Sequence, residues 1–196
     1  MRLRNATGIN RKTLGERSME HMIDHMGKKI LFSRDAVDRR VKVLAAHISE
    51  DYHDRDLILI GVLKGAFVFM ADLIRSMTIP CRIDFVRLAS YGASSTSRGE
   101  ISLTKDIEIP IDGQDILIVE DIIDTGLTLS YFVENLKRRN PRSIKVCVFL
   151  DKRSRRKAVF EADYVGFTID DGFVVGYGLD FDEQARFLPD VYLINA

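Results

Sequence analysis

The stretch from Ile116 to Ser130 constrains the fold more than any other part of the chain. Ile116 to Val119 is a continuous apolar run that ends in Glu120 and Asp121. A third acid, Asp124, follows, then the small polar cluster Thr125-Gly126-Leu127-Thr128. Beyond it Leu129, Phe132, Val133 and Leu136 fall at helical spacing. A short apolar run bounded by polar residues suits a buried strand, and the later spacing suits an amphipathic helix. Strand, loop and helix in that order aim the unpaired N–H groups of the first helical turn, and the positive end of the helix dipole, into the loop. Such a junction favours a phosphate.

The same alternation recurs along the chain. Ser33 is a candidate N-cap, with Val37, Val41, Leu44, Ala45 and Ile48 on one helical face after it. Leu57 to Val62 reads as a buried strand that runs into Gly61–Gly65. Phe67, Met70, Leu73, Ile74 and Met77 line the next helix, which Pro80 stops. Arg82 to Ser90 is a second strand, Tyr91 to Gly99 a Gly- and Ser-rich loop, and Glu100 to Ile109 an excursion on its return. After the helix that starts near Leu127 and ends at Asn140-Pro141, Ile144–Leu150 and Tyr164–Ile169 are two more strands. Strands alternating with helices imply an α/β fold, with a mostly parallel central sheet flanked by helices on both faces. Ligands of such sheets bind outside the carboxyl ends of the strands, which gathers Gly61–Gly65, Glu120–Thr128 and Asp151-Lys152 at one place.

Bulk properties narrow the function classes. A chain of 196 residues, 46% hydrophobic and 30% charged, suits one soluble domain with a real core. Its 29 basic and 29 acidic residues cancel, which speaks against a broad nucleic-acid surface. Cys81 and Cys147 lie in apolar strand-like runs and read as buried free thiols of a reducing, cytoplasmic compartment. No run approaches the ~18 consecutive apolar residues of a membrane span. Residues 1–25 form a basic N-terminal extension, with a disordered tail, an extra helix and an upstream start all open. His21, His25, His47 and His53 lie outside every motif and read as surface residues.

The acids select the kind of phosphate compound. A nucleotide-triphosphate loop would place a lysine on the phosphates, and none is present between Ile116 and Ser130. Carboxylates accept hydrogen bonds from hydroxyls and take protons, so Glu120 and Asp121 suit a sugar diol and Asp124 proton chemistry. The plain alternative is an acidic turn with Asp124 or Thr125 as helix N-cap. Lys64, beside Gly65 at a strand end, suits an anion. Lys152 opens a basic run in which Arg153, Arg155, Arg156 and Lys157 read as solvated surface, whereas Lys152 itself turns into the site. An ammonium there can donate to a carbonyl oxygen. Ser90 and Tyr91 head a loop whose composition suits a lid.

Val119 to Leu129 is similar to the ribose-phosphate loop of type I phosphoribosyltransferases, most closely their hypoxanthine-guanine branch. Gly61–Gly65, Leu150–Ser154 and Phe173–Asp180 match that branch in the same order, and the likeness runs from about Ile30 to the end of the chain. The resemblance implies the type I phosphoribosyltransferase fold, one domain over residues 26–196, with a small hood formed mainly by residues 170–196 and joined by N-terminal residues. It implies purine salvage: transfer of the 5-phosphoribosyl group of phosphoribosyl pyrophosphate to N9 of hypoxanthine or guanine, giving IMP or GMP, with Mg²⁺ as cofactor. It implies no nucleic-acid or membrane partner, and a homodimer or homotetramer.

By the same resemblance Leu63, Lys64 and Gly65 form a pyrophosphate loop with a non-proline cis peptide at Leu63–Lys64. Glu120 and Asp121 hold the ribose hydroxyls and, with Asp180, the metal; Asp124 is the catalytic base; Thr125, Gly126, Leu127 and Thr128 anchor the 5′-phosphate. Lys152 meets the purine carbonyl, Phe173 stacks on the base, and the Val174 backbone meets its far edge. Asp180 also contacts the base edge, and Arg186 contacts pyrophosphate. Relatives that use xanthine or adenine share the phosphate loop, and Lys152 with Phe173-Val174 argues for a 6-oxopurine. A regulator that senses the donor and binds RNA or DNA is the rival of another class, against which Lys64, Asp124 and the zero net charge speak.

Overall fold

The structure, a computed structural model, describes residues 28–90 and 101–194. The extension 1–25 with its two histidines, and the loop from Tyr91 to Gly99, lie outside the described residues. In chain order the elements are β1 (Lys28–Phe32), α1 (Arg34–Asp51), β2 (Leu57–Leu63), α2 (Phe67–Ser76), β3 (Cys81–Ser90) and β4 (Ile101–Lys105). They continue with β5 (Asp115–Ile123), α3 (Leu127–Lys137), β6 (Ser143–Lys152), β7 (Tyr164–Ile169), β8 (Phe173–Val175) and β9 (Val191–Ile194).

Six strands form one sheet in the order β4-β3-β2-β5-β6-β7. Every pairing in it is parallel except β3 with β4. Both faces are apolar, which explains the unbroken hydrophobic runs. Leu57 and Leu59 of β2, Leu117 and Val119 of β5, and Cys147 and Phe149 of β6 face α1 and α2. The alternate residues Ile58, Ile60, Ile116, Ile118, Val146 and Val148 face Leu129, Phe132 and Leu136 of α3. The period of two within each strand thus feeds two cores, one per face. Helix α1 begins where the Ser33 hydroxyl accepts the Ala36 N–H at 3.3 Å, as its sequence indicates.

Three expectations change. The excursion after the loop is a strand, β4, which returns antiparallel along β3 with Ser90 opposite Ile101. Buried Asp84 fastens its far end, accepting the Glu108 N–H at 2.6 Å and the Ile109 N–H at 3.0 Å. Strand β5 does not stop at Val119 but runs to Ile123, because Ile122 and Ile123 still pair with Leu150 and Asp151 of β6. Of the two cysteines, both free, only Cys147 is buried; Cys81 is partly exposed at the start of β3.

A second, three-stranded antiparallel sheet, β1-β9-β8, joins the two ends of the described chain. Lys28 and Phe173 both register with Ile194. Its own small core is Val175, Ala185, Leu188 and Tyr192.

Candidate active site

The carboxyl ends of the parallel strands, with the turns and helix start that follow them, build the cleft. A cavity of about 240 Å³ there is lined by Val62, Leu88, Glu120, Asp121, Asp124 and Thr128, among others. Two larger depressions lie elsewhere: one of about 910 Å³ beside Tyr52, Pro80 and Arg82 at the opposite end of the sheet, and one of about 880 Å³ between α1, α2 and Arg186–Pro189. The chemistry-bearing residues favour the smallest of the three.

Glu120 and Asp121 lie within β5 rather than in the loop beyond it. Glu120 is buried, and its Oε1 accepts the Asp121 N–H at 3.1 Å; Asp121 Oδ1 accepts the Ile122 N–H at 2.8 Å. Burial, and then the neighbouring Asp121 carboxylate, push the Glu120 carboxyl well above its ordinary value of 4.5. Burial also raises Asp121, while the charge of Arg186 pulls it back. Two acids held this close disfavour each other's ionisation, and a cation placed against them would relieve it.

The turn after β2 lies directly on this pair. The Leu63–Lys64 peptide is cis. A Cβ on Gly65 would fall 1.6 Å from Asp121 Oδ2, so only glycine leaves room for the carboxylate. A Cβ on Gly178 would fall 2.5 Å from the Gly65 carbonyl oxygen, which seats the Gly176–Gly178 turn on the other side of the same loop. Lys64 Nζ pairs with Glu183 Oε1 at 2.9 Å. Arg186 pairs with Asp180 at 2.7 Å and, more loosely, with Glu183 at 3.4 Å, and donates to the Gly178 carbonyl at 2.7 Å. Asp180 also accepts the Glu183 N–H at 2.9 Å. Asp180 therefore faces Arg186, and among the described residues no three His, Cys, Asp or Glu side chains converge as a metal-holding group.

Past β5 the chain turns through Asp124 and Thr125 into α3. The N-cap of α3 is Gly126 at φ +77, and no side chain caps the helix. Neither Asp124 nor Thr125 takes the N-cap position, although Thr125 Oγ1 accepts the Leu127 N–H at 3.4 Å. An uncapped helix start with Thr128 on the cavity wall is free to receive an anion. Asp124 Oδ2 pairs with Arg155 at 3.2 Å, while its Oδ1 is buried with no hydrogen-bond partner.

Beside it, at the end of β6, buried Lys152 donates to the Gly172 carbonyl at 3.0 Å and pairs with Asp171 at 3.1 Å. That bond brings Phe173, half exposed and edge-on to Phe181 with centroids 5.6 Å apart, next to the lysine. The Val174 side chain packs into the core, leaving its backbone on the strand. Ser90 closes β3, and Tyr91 lies outside the described residues.

The basic run after Lys152 departs from its sequence reading. Arg153, Arg155 and Lys157 are exposed, as a solvated run would be. Arg156 is not: its side chain is 15% exposed and turned inward on the Asp151 carboxylate. The backbone joins in, since the N–H groups of Lys157 and Ala158 donate to the Thr125 carbonyl at 2.9 and 3.1 Å. No pattern in the sequence marks Arg156, because four of its five acceptors are main-chain oxygens, two of them on residues 123 and 124 far back along the chain.

Residues 29–182 match the family model of the phosphoribosyl transferase domain. The chain is 49% identical over 174 residues to the hypoxanthine-guanine phosphoribosyltransferase of Bacillus subtilis, covering 89% of this chain and 97% of the relative. The Aquifex aeolicus protein of the same name is 44% identical, over 85% and 94% of the two chains. A solved hypoxanthine phosphoribosyltransferase from Staphylococcus aureus superposes with a TM-score of 0.84 at 39% identity, over 89% of this chain and 95% of that one. The chain belongs to the hypoxanthine-guanine phosphoribosyltransferase family.

Proposed function

We propose that this protein transfers the 5-phosphoribosyl group of phosphoribosyl pyrophosphate to N9 of hypoxanthine or guanine, giving IMP or GMP and pyrophosphate. One observation carries the choice of acceptor. Asp124 and Lys152 each stand one residue beyond Ile123 and Asp151, the pair that faces across the β5–β6 ladder. N7 and O6 project from one edge of a 6-oxopurine, so a proton acceptor and an ammonium side by side suit that edge. A 6-amino group would set donor against donor at Lys152.

In the reaction N9 attacks C1′ as the bond from C1′ to the pyrophosphate oxygen breaks, and its electron pair leaves with pyrophosphate. Asp124 takes the N7 proton, and its unpartnered Oδ1 is available for it. Glu120 and Asp121 hold the ribose 2′ and 3′ hydroxyls, accepting hydrogen bonds from them. The α3 N-terminus, with Thr125 and Thr128, anchors the 5′-phosphate. Lys64 and Arg186 meet the departing pyrophosphate. Phe173 stacks on the purine.

Magnesium fits this donor set, because the ion is commonly held by one or two carboxylates, with substrate oxygens and water filling the remainder. Glu120 and Asp121 would be those carboxylates, and Asp180, here paired with Arg186, would be a third. When bound, the ion neutralises charge on the leaving group.

The test supplies protein, Mg²⁺ and the donor with each purine in turn and follows pyrophosphate release. Hypoxanthine and guanine should support turnover and adenine should not. Release with adenine alone, or with no purine, would overturn the reading.

A further inference from the structure

We infer that Arg156 is a positioning residue that sets the separation between Asp124 and Lys152, and so the fit of the N7–O6 edge; this rests on the function proposed above. The guanidinium lies across the gap where the β5–β6 ladder ends. Its Nε donates to the Asp124 carbonyl at 3.1 Å. One terminal nitrogen donates to the Phe160 carbonyl at 2.6 Å, and the other binds the buried Asp151 carboxylate. That second nitrogen also lies 3.5 Å from the Ile123 oxygen and 3.4 Å from the Lys152 oxygen. Its stem packs near the phosphate loop, where a Cβ on Gly126 would fall 3.1 Å from Arg156 Cδ.

The chemistry explains why an arginine stands here. Past Ile123 and Asp151 the two strands diverge, β5 into a helix and β6 into the 153–158 loop, and ladder pairing is no longer there to fix their spacing. A planar, branched guanidinium spreads its donors over three nitrogens in a fixed fork, whereas the three donors of an ammonium all radiate from one nitrogen and do not span the same gap. Asp151 holds the fork in turn: it is buried, and it also accepts from Arg153 Nε at 2.9 Å. Arg155 differs in kind, reaching the Asp124 side chain from an exposed position. Arg156 touches neither the candidate acid's carboxylate nor the ammonium of Lys152. It acts on the backbone that carries them.

The variants are Arg156→Lys, which keeps the charge and loses the fork, and Arg156→Ala, which leaves a hole of guanidinium shape. Steady-state kinetics are measured with each substrate varied separately, after wild type has been shown to release pyrophosphate with a 6-oxopurine. If wild type does not, the functional reading fails and not this inference. In Arg156→Lys, kcat/KM for hypoxanthine should fall on the order of 100-fold, the scale of a misplacement near 1 Å. KM for the donor should stay near wild type. In Arg156→Ala, free guanidinium should restore part of the lost purine kcat/KM, and sodium at equal ionic strength should not. A purely structural prop would damage donor and purine parameters alike. That outcome, or an Arg156→Lys enzyme with wild-type purine kcat/KM, overturns the inference. Should Arg156→Ala fail to fold, the split between donor and purine parameters in Arg156→Lys decides alone.

Discussion

The strand-end floor and the 176–188 turn face each other across one cleft and are built in opposite ways. On the floor Glu120, Asp151 and Lys152 are buried, and sheet pairing or internal hydrogen bonds fix each of them. The opposing turn has no ladder: its pairing is limited to the isolated bridges Gly176–Leu179 and Phe181–Gln184 and to single backbone bonds such as that from the Tyr177 N–H to the Leu188 carbonyl at 2.8 Å. Tyr177, Asp182, Glu183 and Ala185 all adopt positive φ there. Its ion pairs to Lys64 and Arg186 involve a glutamate that is well exposed. The floor is prepared before substrate arrives. The turn instead supplies carboxylates that occupy the two cations a pyrophosphate would claim, through contacts that water screens and a better anion can displace.

Asp151→Ala should show the largest consequence of this asymmetry. Removing one member of a buried ion pair leaves Arg156 uncompensated and should lower the unfolding free energy by about 3–5 kcal/mol in denaturant titrations. Asp180→Ala, on the turn, should cost about 1 kcal/mol or less by the same assay. Equal losses at the two sites would break the comparison.

Lys152→Gln comes next. A hydrogen bond from a charged donor to a carbonyl contributes about 1.5–3 kcal/mol, so kcat/KM for hypoxanthine should fall about 10- to 100-fold. Inorganic pyrophosphate should bind as before, as checked by calorimetry.

Glu120→Gln sharpens the picture through pH. The folded-state pKa of Glu120 is raised, so the folded state favours the protonated acid. Its contribution is therefore fully favourable below the ordinary value of 4.5 and is lost as pH rises through the folded value. The uncharged amide should raise Tm at neutral pH, with the gain shrinking as the buffer is acidified toward 4.5, and should lower turnover throughout. A Tm gain that does not change with pH would contradict the raised Glu120 carboxyl. The smallest effect belongs to Glu183→Gln, which removes the anion resting on Lys64. Pyrophosphate should then bind tighter, by about two- to fivefold.

Much of this was legible in sequence wherever the controlling interactions are local. Ser33 caps its own helix, and the 57–62 and 164–169 runs carry strand propensity in their own residues. The strand-loop-helix junction around residues 116–130 is readable because its acids, threonines and glycine lie within a dozen residues. What escaped depends on partners far along the chain. Ile122 and Ile123 are strand only because β6 lies alongside them, and the return after residue 100 is strand only because β3 does. Arg156 reads as surface in sequence because its acceptors include main-chain oxygens of residues 123 and 124, which carry no sequence signal. Glu183, likewise, gives no hint in sequence that it reaches Lys64.

The most direct test of the central claim, that Asp124 takes a proton from a 6-oxopurine on this floor, is single-turnover formation of IMP by wild type and Asp124→Asn. Enzyme is preloaded with donor and Mg²⁺ and mixed with hypoxanthine. The expected result is donor binding close to wild type with a chemical step slower by about 100- to 10,000-fold in the variant. An Asp124→Asn enzyme that forms IMP at the wild-type rate would contradict it.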